Sequence, residues 1–247
     1  MRRLLLILLI PLTLLLAGVG YLHLAGHPDA LRHIVLKQCL PGWQHGNPAP
    51  CTRVTQDAAL LKDRNGLLQY LLLPVIRING IESPMLLDAE TPNYFWLAWQ
   101  ARDLLGVKRS APVPDTAIAL TVNSRMGRTQ NHLHIHISCL RSEVRAQLNR
   151  SAAGVGPRWQ PLDGSISGHH YMIRRVSADA LSRQSPFRLL ANEVPGARAH
   201  MGRYGLALAL LPDGDFVLLA TERHLLRLNL ASSEEIQDHD CAILHDS

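Results

Sequence analysis

His132-Leu133-His134-Ile135-His136-Ile137 is the stretch on which the reading of this chain turns. Strict alternation of polar and apolar residues marks a half-buried β-strand, because successive side chains point to opposite faces of a sheet. Leu133, Ile135 and Ile137 are expected in the core, which leaves the three imidazoles lined up on the other face. The run Ala117-Ile118-Ala119-Leu120-Thr121-Val122 just before it is also strand-like, and the polar connection between the two predicts an antiparallel hairpin.

Three chemistries compete for such a histidine face. A solvated surface would be served as well by Ser, Thr or Lys. A zinc site meets a distance problem: at about 3.3 Å per strand residue, His132 and His136 stand roughly 13 Å apart at Cα, too far to share one ion easily. Asp238, His239 and Asp240 could add ligands, yet nothing in the sequence ties them to this strand. The third chemistry is nucleophilic attack on phosphorus, for which a neutral imidazole needs no deprotonation. The preceding loop suits it. Asn123, Arg125, Arg128 and Gln130 offer guanidiniums and amides to phosphate oxygens, and Gly127 lets backbone N–H groups come close. His134, His132 and His136 are therefore the candidate catalytic residues, with Asn123, Arg125, Arg128 and Gln130 as candidate substrate ligands and no metal or cofactor expected.

Outward from this strand, Gly66 to Pro74 is an apolar run suited to a buried strand, and Asn79-Gly80 is a hairpin signal between apolar segments. Thr91-Pro92 reads as the start of a helix through Tyr94, Phe95, Trp96, Trp99, Leu104 and Leu105 that ends at Gly106. Downstream come a strand at His170 to Val176, a helix within Pro186 to Met201, and a hairpin of Gly205–Leu211 with Phe216–Ala220 across Pro212-Asp213-Gly214-Asp215. The expected class is α+β, an antiparallel sheet with packed helices. The order of elements in 57–150 is echoed in 151–247, which suggests an active half and a degenerate half of one unit.

At the N-terminus, Arg2 and Arg3 precede an uncharged apolar run from Leu4 to Leu24. A transmembrane helix needs roughly 20 such residues, whereas a cleaved signal has a hydrophobic stretch of about 7 to 15. Residues 1–25 are thus expected as a single-pass anchor with the arginines in the cytoplasm, so that in a bacterium the rest lies in the periplasm at the inner membrane. Pro11 and the small residues Ala17, Gly18 and Gly20 are the features that would instead fit a kink or a cleavage site. The Pro-, Gly- and His-rich 26–56 reads as a stalk, with a short helical patch at Asp29 to Lys37, ahead of a catalytic domain at 57–247.

The four cysteines suit an oxidising compartment. Cys39 and Cys51 flank the segment Leu40–Pro50 and are expected to pair, leaving Cys139 with Cys241. A formal net charge of +5 favours anionic partners. Only 5% of residues are aromatic and none interleave with basic runs, which argues against nucleic acid.

The histidine strand is similar to the histidine triad signature, three histidines alternating with hydrophobic residues on an α+β sheet. It departs from that pattern at Ser138, where a further hydrophobic residue is usual, and at Arg128, where many members carry Gln. The wider chain resembles the bacterial CDP-diacylglycerol pyrophosphatase family in Leu67-Gln69-Tyr70-Leu71-Leu72, Arg77-Ile78-Asn79-Gly80, Glu82-Ser83-Pro84, Phe95 to Asp103, Asn123-Ser124-Arg125, Gly127 to Asn131 and His200 to Gly205. The likeness runs on to Glu234-Glu235-Ile236-Gln237-Asp238-His239. It implies hydrolysis of CDP-diacylglycerol to CMP and phosphatidate through a CMP-histidine intermediate on His134, with His132 orienting the nucleophile and His136 near the bridging oxygen. It also implies membrane lipids as surroundings, and a homodimer is open. The alternatives are a non-catalytic periplasmic module that binds nucleotide or phospholipid, and a zinc-dependent phosphohydrolase.

Overall fold

The computed structural model describes residues 27–245. Its frame is a ten-stranded antiparallel sheet. In chain order the strands are β1 (Arg53–Val54), β2 (Ala58–Lys62), β3 (Tyr70–Pro74), β4 (Ile118–Val122), β5 (Ile135–Leu140), β6 (Gln160–Pro161), β7 (Met172–Val176), β8 (Tyr204–Leu210), β9 (Phe216–Glu222) and β10 (Gln237–Asp238). In space they run β1-β2-β3-β5-β4-β8-β9-β7-β6, and β10 pairs with the end of β5. The helices are α1 (30–44, with a π-helical turn at Val35–Cys39), α2 (Tyr94–Gln100), α3 (Asp103–Arg109), α4 (Ser142–Ser151), α5 (Ala178–Arg183) and α6 (Pro186–Glu193).

About the central β4·β8 pair the order reads alike in both directions, β4-β5-β3 one way and β8-β9-β7 the other. Helices α2 and α3 fall between β3 and β4, and α5 and α6 between β7 and β8. What repeats is the order of elements and not the residues. One face of the sheet is mostly apolar: Leu72, Leu120, Ile135, Ile137, Leu208 and Leu218 pack against Phe95, Trp99, Phe187 and Leu190 of the helices. The other face is divided. At one end α1 covers β2 and β3 through Val35, Cys39, Leu71 and Leu73. At the other, Val144 and Leu148 of α4 cover Ala207, Ala209, Val217 and Leu219. Between these two clusters lies the face of β5 and β4 that carries His136 and its register partner Thr121.

Several expectations are refined by this packing. Within 26–56, expected as a stalk, α1 lies on the sheet with Val35 and Cys39 fully buried, so this segment contributes to the domain's core. Asn79-Gly80 closes no hairpin; Ile78 and Ile81 on either side are buried as core residues and take no part in a ladder. The expected helix from Thr91 is two helices, α2 capped by the Asn93 side chain and α3 running through Gly106. Both disulfides join the expected partners, Cys39–Cys51 and Cys139–Cys241. The anchor expected at 1–25 lies outside the described residues, and among the described residues no helix is long and apolar enough to cross a membrane.

Candidate active site

Strand β5 begins at Ile135, so His132 and His134 precede it in irregular chain, a correction to the expectation of one strand carrying all three. The cause is Pro74. The β3·β5 ladder ends at Leu72↔Ile135 because further on it meets a residue with no N–H to give. Leu133 N–H turns instead to the Ile78 carbonyl at 2.8 Å, and the chain bends with it.

The bend gives each histidine a different environment. His134 donates Nδ1–H to the backbone carbonyl of His132 at 2.6 Å. That bond fixes the neutral tautomer whose Nε2 carries the lone pair, the form a nucleophile needs. The His132 ring points elsewhere. Its Nε2 sits 2.9 Å from the Pro74 carbonyl, and the ring is wholly buried beside Asp29 and Arg32 of the N-terminal segment. Orientation of His134 thus comes from the His132 main chain, and the expected role of the His132 imidazole in that task has no contact to support it.

His136 lies 5.0 Å from His134 between ring centroids. Its Nδ1 receives the Gln69 amide at 2.6 Å, and the same amide nitrogen is 3.3 Å from Glu234 Oε1. His136 Nδ1 itself stands 3.3 Å from Glu234 Oε1, so the amide, the imidazole and the carboxylate form one polar cluster. His136 Nε2 is buried and has no partner. Glu234 is held in turn by Asn123, whose Nδ2 donates to Oε2 at 2.9 Å while its Oδ1 accepts from the Glu234 backbone at 3.1 Å. His239 stacks parallel to His136 at 6.4 Å and faces Glu234 at 3.3 Å.

The other loop residues divide in the same way. Arg128 makes a two-point ion pair with Glu82, one arm at 2.8 Å, and sits within electrostatic reach of His134. Gly80 makes room for it: a Cβ there would stand 2.5 Å from the guanidinium carbon. Arg125 is exposed and bonded only through its main chain, to Gly202. Gln130 is turned away, receiving Leu31 N–H at 3.2 Å and donating to the His27 carbonyl at 3.1 Å. Asn123 and Gln130 are therefore framework residues in this state, one for Glu234 and one for the N-terminal segment.

Gln69, Glu82 and Glu234 are site residues that a reading of spacing misses, and His239, considered there only as a metal ligand, joins them beside His136. They stand far from the histidines in the chain, and only β3, the Arg128 loop and the C-terminal segment bring them together. Residues 229–241 form a strap across the open half of the sheet. Ser124 N–H bonds to the Ala231 carbonyl, Ser233 Oγ to the Val122 carbonyl, and Leu68 N–H to the His239 carbonyl at 2.8 Å. Gln237 adds bonds to Thr121 and the Ala119 carbonyl. Among the described residues no group of three His, Cys, Asp or Glu is arranged to hold a metal ion.

Burial holds all three histidines neutral. It lowers His132 and His134 to about 4 and His136 to about 3, with neighbouring His136 adding to the effect on His134 and His239 to that on His136. The unfolded chain takes protons at about 6.5, so between that value and about 4 it binds more protons than the folded chain. Stability is full above pH 6.5 and falls as pH drops through this window. The expected result is a melting temperature that declines steadily from pH 7 to pH 4, with a shallower decline in His136→Gln; a flat profile in the wild type would contradict buried neutral histidines. At pH 6, where an ordinary histidine is mostly protonated, His134 keeps its lone pair.

A family model described as CDP-diacylglycerol pyrophosphatase matches residues 26–245. Among solved structures, a chain titled Hnt3 is similar at 14% identity with a TM-score of 0.29, over 43% of this chain and 62% of that one. The likeness therefore spans less than two thirds of that chain's length.

Proposed function

This chain belongs to the CDP-diacylglycerol pyrophosphatase family, hydrolases acting on a pyrophosphate bond, and from that premise we propose that it cleaves CDP-diacylglycerol through a CMP-histidine intermediate on His134. The single observation that carries the histidine route is the His134 tautomer: Nδ1–H is committed to the His132 carbonyl at 2.6 Å, so Nε2 is the free base.

In the first step His134 Nε2 attacks the cytidylate phosphorus, a P–N bond forms, and the bond from that phosphorus to the bridging oxygen breaks. Phosphatidate leaves with the electron pair. The imidazole becomes cationic as it is phosphorylated, and the Nδ1–H bond to the His132 carbonyl strengthens with that charge, an interaction larger in the transition state than before it. His136, whose Nε2 has no partner in the free protein, donates to the bridging oxygen in the tautomer with its proton on that nitrogen, as negative charge gathers there. In the second step water attacks the same phosphorus, the P–N bond breaks, His134 leaves as the neutral imidazole it was, and the proton of water passes to solvent. Arg128 and Arg125 supply positive potential to the non-bridging oxygens. The surface of an inner membrane, with this domain on the periplasmic side, is the setting in which such a lipid would be met.

A direct test is to mix full-length protein with CDP-diacylglycerol labelled at the cytidylate phosphorus, in EDTA, and stop the reaction with alkali within the first turnover. Label bound to protein that survives alkali, is released by acid and maps to the peptide holding His134 is the expected result. Turnover without bound label would point to direct attack by water, and turnover lost to EDTA would favour a zinc route.

A further inference from the structure

Soluble domains hide large apolar side chains unless an exposed patch has a partner. One short segment here does the reverse. After β9 the chain reads Arg223-His224-Leu225-Leu226-Arg227-Leu228-Asn229-Leu230, and Leu226 is 94% exposed, Leu228 86% and Leu225 54%. The segment is not loose. His224 and Asn229 exchange both backbone hydrogen bonds at 2.9 and 3.1 Å, and the buried Asn229 side chain bonds to Thr221 and the Glu222 carbonyl. Leu228 is held at φ 55°, a left-handed conformation in which a leucine is disfavoured and glycine or asparagine is usual. A rigid finger thus presents leucines to the outside.

Its position is as informative as its composition. The finger leads directly into the strap, and Ser124 of the catalytic loop bonds to it through the Leu230 carbonyl and to Ala231 next to it. Met126, 47% exposed, lies against Arg223. On the other side of the same loop, Asn131 and Gln130 bond to Pro28, His27 and Leu31, where the chain arrives from the apolar run Leu4 to Leu24. Residues 27–31, the catalytic loop and the leucine finger therefore lie at one end of the strands, where β4 and β9 finish and β5 begins. The charges there are positive: Arg125, Arg223 and Arg227 stand in this neighbourhood without an ion pair among the described residues, while the adjacent acid Glu222 is paired with Arg203 at 3.2 Å. Leucines ringed by arginines match a bilayer with an anionic surface, the leucines entering the acyl boundary and the guanidiniums meeting phosphate headgroups.

We propose that residues 223–230 form a membrane-contacting finger that seats the end of the sheet holding His134 on an anionic bilayer and receives the acyl part of the lipid substrate. The substrate half of this proposal rests on the function proposed above; the membrane half does not. Every native cysteine is in a disulfide, so Leu226→Cys introduces a single thiol for an environment-sensitive fluorophore. The full chain carrying it would be reconstituted into vesicles of phosphatidylcholine and phosphatidylglycerol. The expected result is a blue-shifted emission quenched by lipid-borne doxyl groups, with no such change for label at Glu143→Cys, an exposed position just past the far end of β5. Emission unchanged by lipid overturns the proposal, as does a blue shift that arises without lipid and grows with protein concentration, which would mean that a second copy covers the leucines.

The catalytic arm uses Leu226→Asp with Leu228→Asp. Hydrolysis of CDP-diacylglycerol in the same vesicles is expected to fall at least about tenfold in kcat/KM, while hydrolysis of water-soluble CDP-glycerol stays at the wild-type rate. Equal loss on both substrates would mean that the finger only supports the fold. Leu228→Gly separates those outcomes further, because it removes the side chain while relieving the backbone: lipid turnover should fall with the melting temperature unchanged or raised. If wild type cleaves neither substrate, the proposed function fails while the fluorescence result still decides the finger.

Discussion

Replacing His134 with alanine is expected to lower CDP-diacylglycerol turnover by at least about 10³-fold, because the covalent route is lost with the nucleophile. The geometry makes a sharper claim than loss of activity, because it separates His134 from His132. The His134 ring is 8% exposed and carries a free Nε2, whereas the His132 ring is wholly enclosed and bonds to the Pro74 carbonyl. His132→Ala keeps the backbone carbonyl that orients His134. It should therefore cost stability, through a cavity and an unsatisfied Pro74 carbonyl worth about 2 to 4 kcal/mol together, and comparatively little of kcat per folded molecule. Steady-state kinetics and thermal melts on the two variants check this. Comparable kinetic losses in both at equal folded fraction would mean that the His132 imidazole itself takes part, and a His134→Ala enzyme within tenfold of wild type would remove His134 as nucleophile.

Removing the Cys139–Cys241 bridge is expected to have the second largest effect, on activity and stability together. The bridge closes a span of 102 positions, and constraint of the unfolded chain over a loop near that length is worth up to about 4 to 5 kcal/mol, with about 2 kcal/mol as a lower figure. It also fixes the strap to β5 next to β10, which pairs Asp238 with Cys139. Glu234 and His239 reach His136 only because the strap is held there. The double variant Cys139→Ala, Cys241→Ala should melt at least several degrees lower and, at a temperature where it is folded, retain a kcat reduced by about ten- to a hundredfold. Loss of the Cys39–Cys51 bridge closes only a short loop, with a separation of 12, on the α1 side of the sheet, and should leave kcat per folded molecule near wild type. Full activity in the Cys139/Cys241 variant would show that the hydrogen bonds of the strap suffice without the bridge.

The two halves of the sheet differ in what they place on the face that carries His136. Across the face shared by β3, β5, β4, β8 and β9, register partners read Leu71, His136, Thr121, Ala207 and Leu219. The polar residues occupy the gap between the α1 and α4 clusters, and beyond β4 the same face is filled by Ala207, Ala209, Val217 and Leu219 under α4. A strand of the second half therefore repeats the position of β5 with a packed interior where the first half has imidazoles.

Local order was legible in the sequence because it depends on periodicity: alternation at 132–137 placed Ile135 and Ile137 in the core and His136 on the opposite face, apolar runs gave β3, β4, β8 and β9, and pairing Cys39 with the nearby Cys51 left Cys139 for Cys241. Tertiary structure decided what periodicity does not encode. Pro74 on a neighbouring strand cuts the β5 ladder short and so turns the His132 ring away from His134, an effect of register between segments far apart in sequence. Glu234 reaches His136 only because the strap crosses β5, and Arg128 meets Glu82 only because Gly80 leaves space. The proposed nucleophile, His134, was singled out by the spacing of three residues; its neutral form and its bond to the His132 carbonyl arise from burial and contacts that exist only once the sheet has closed.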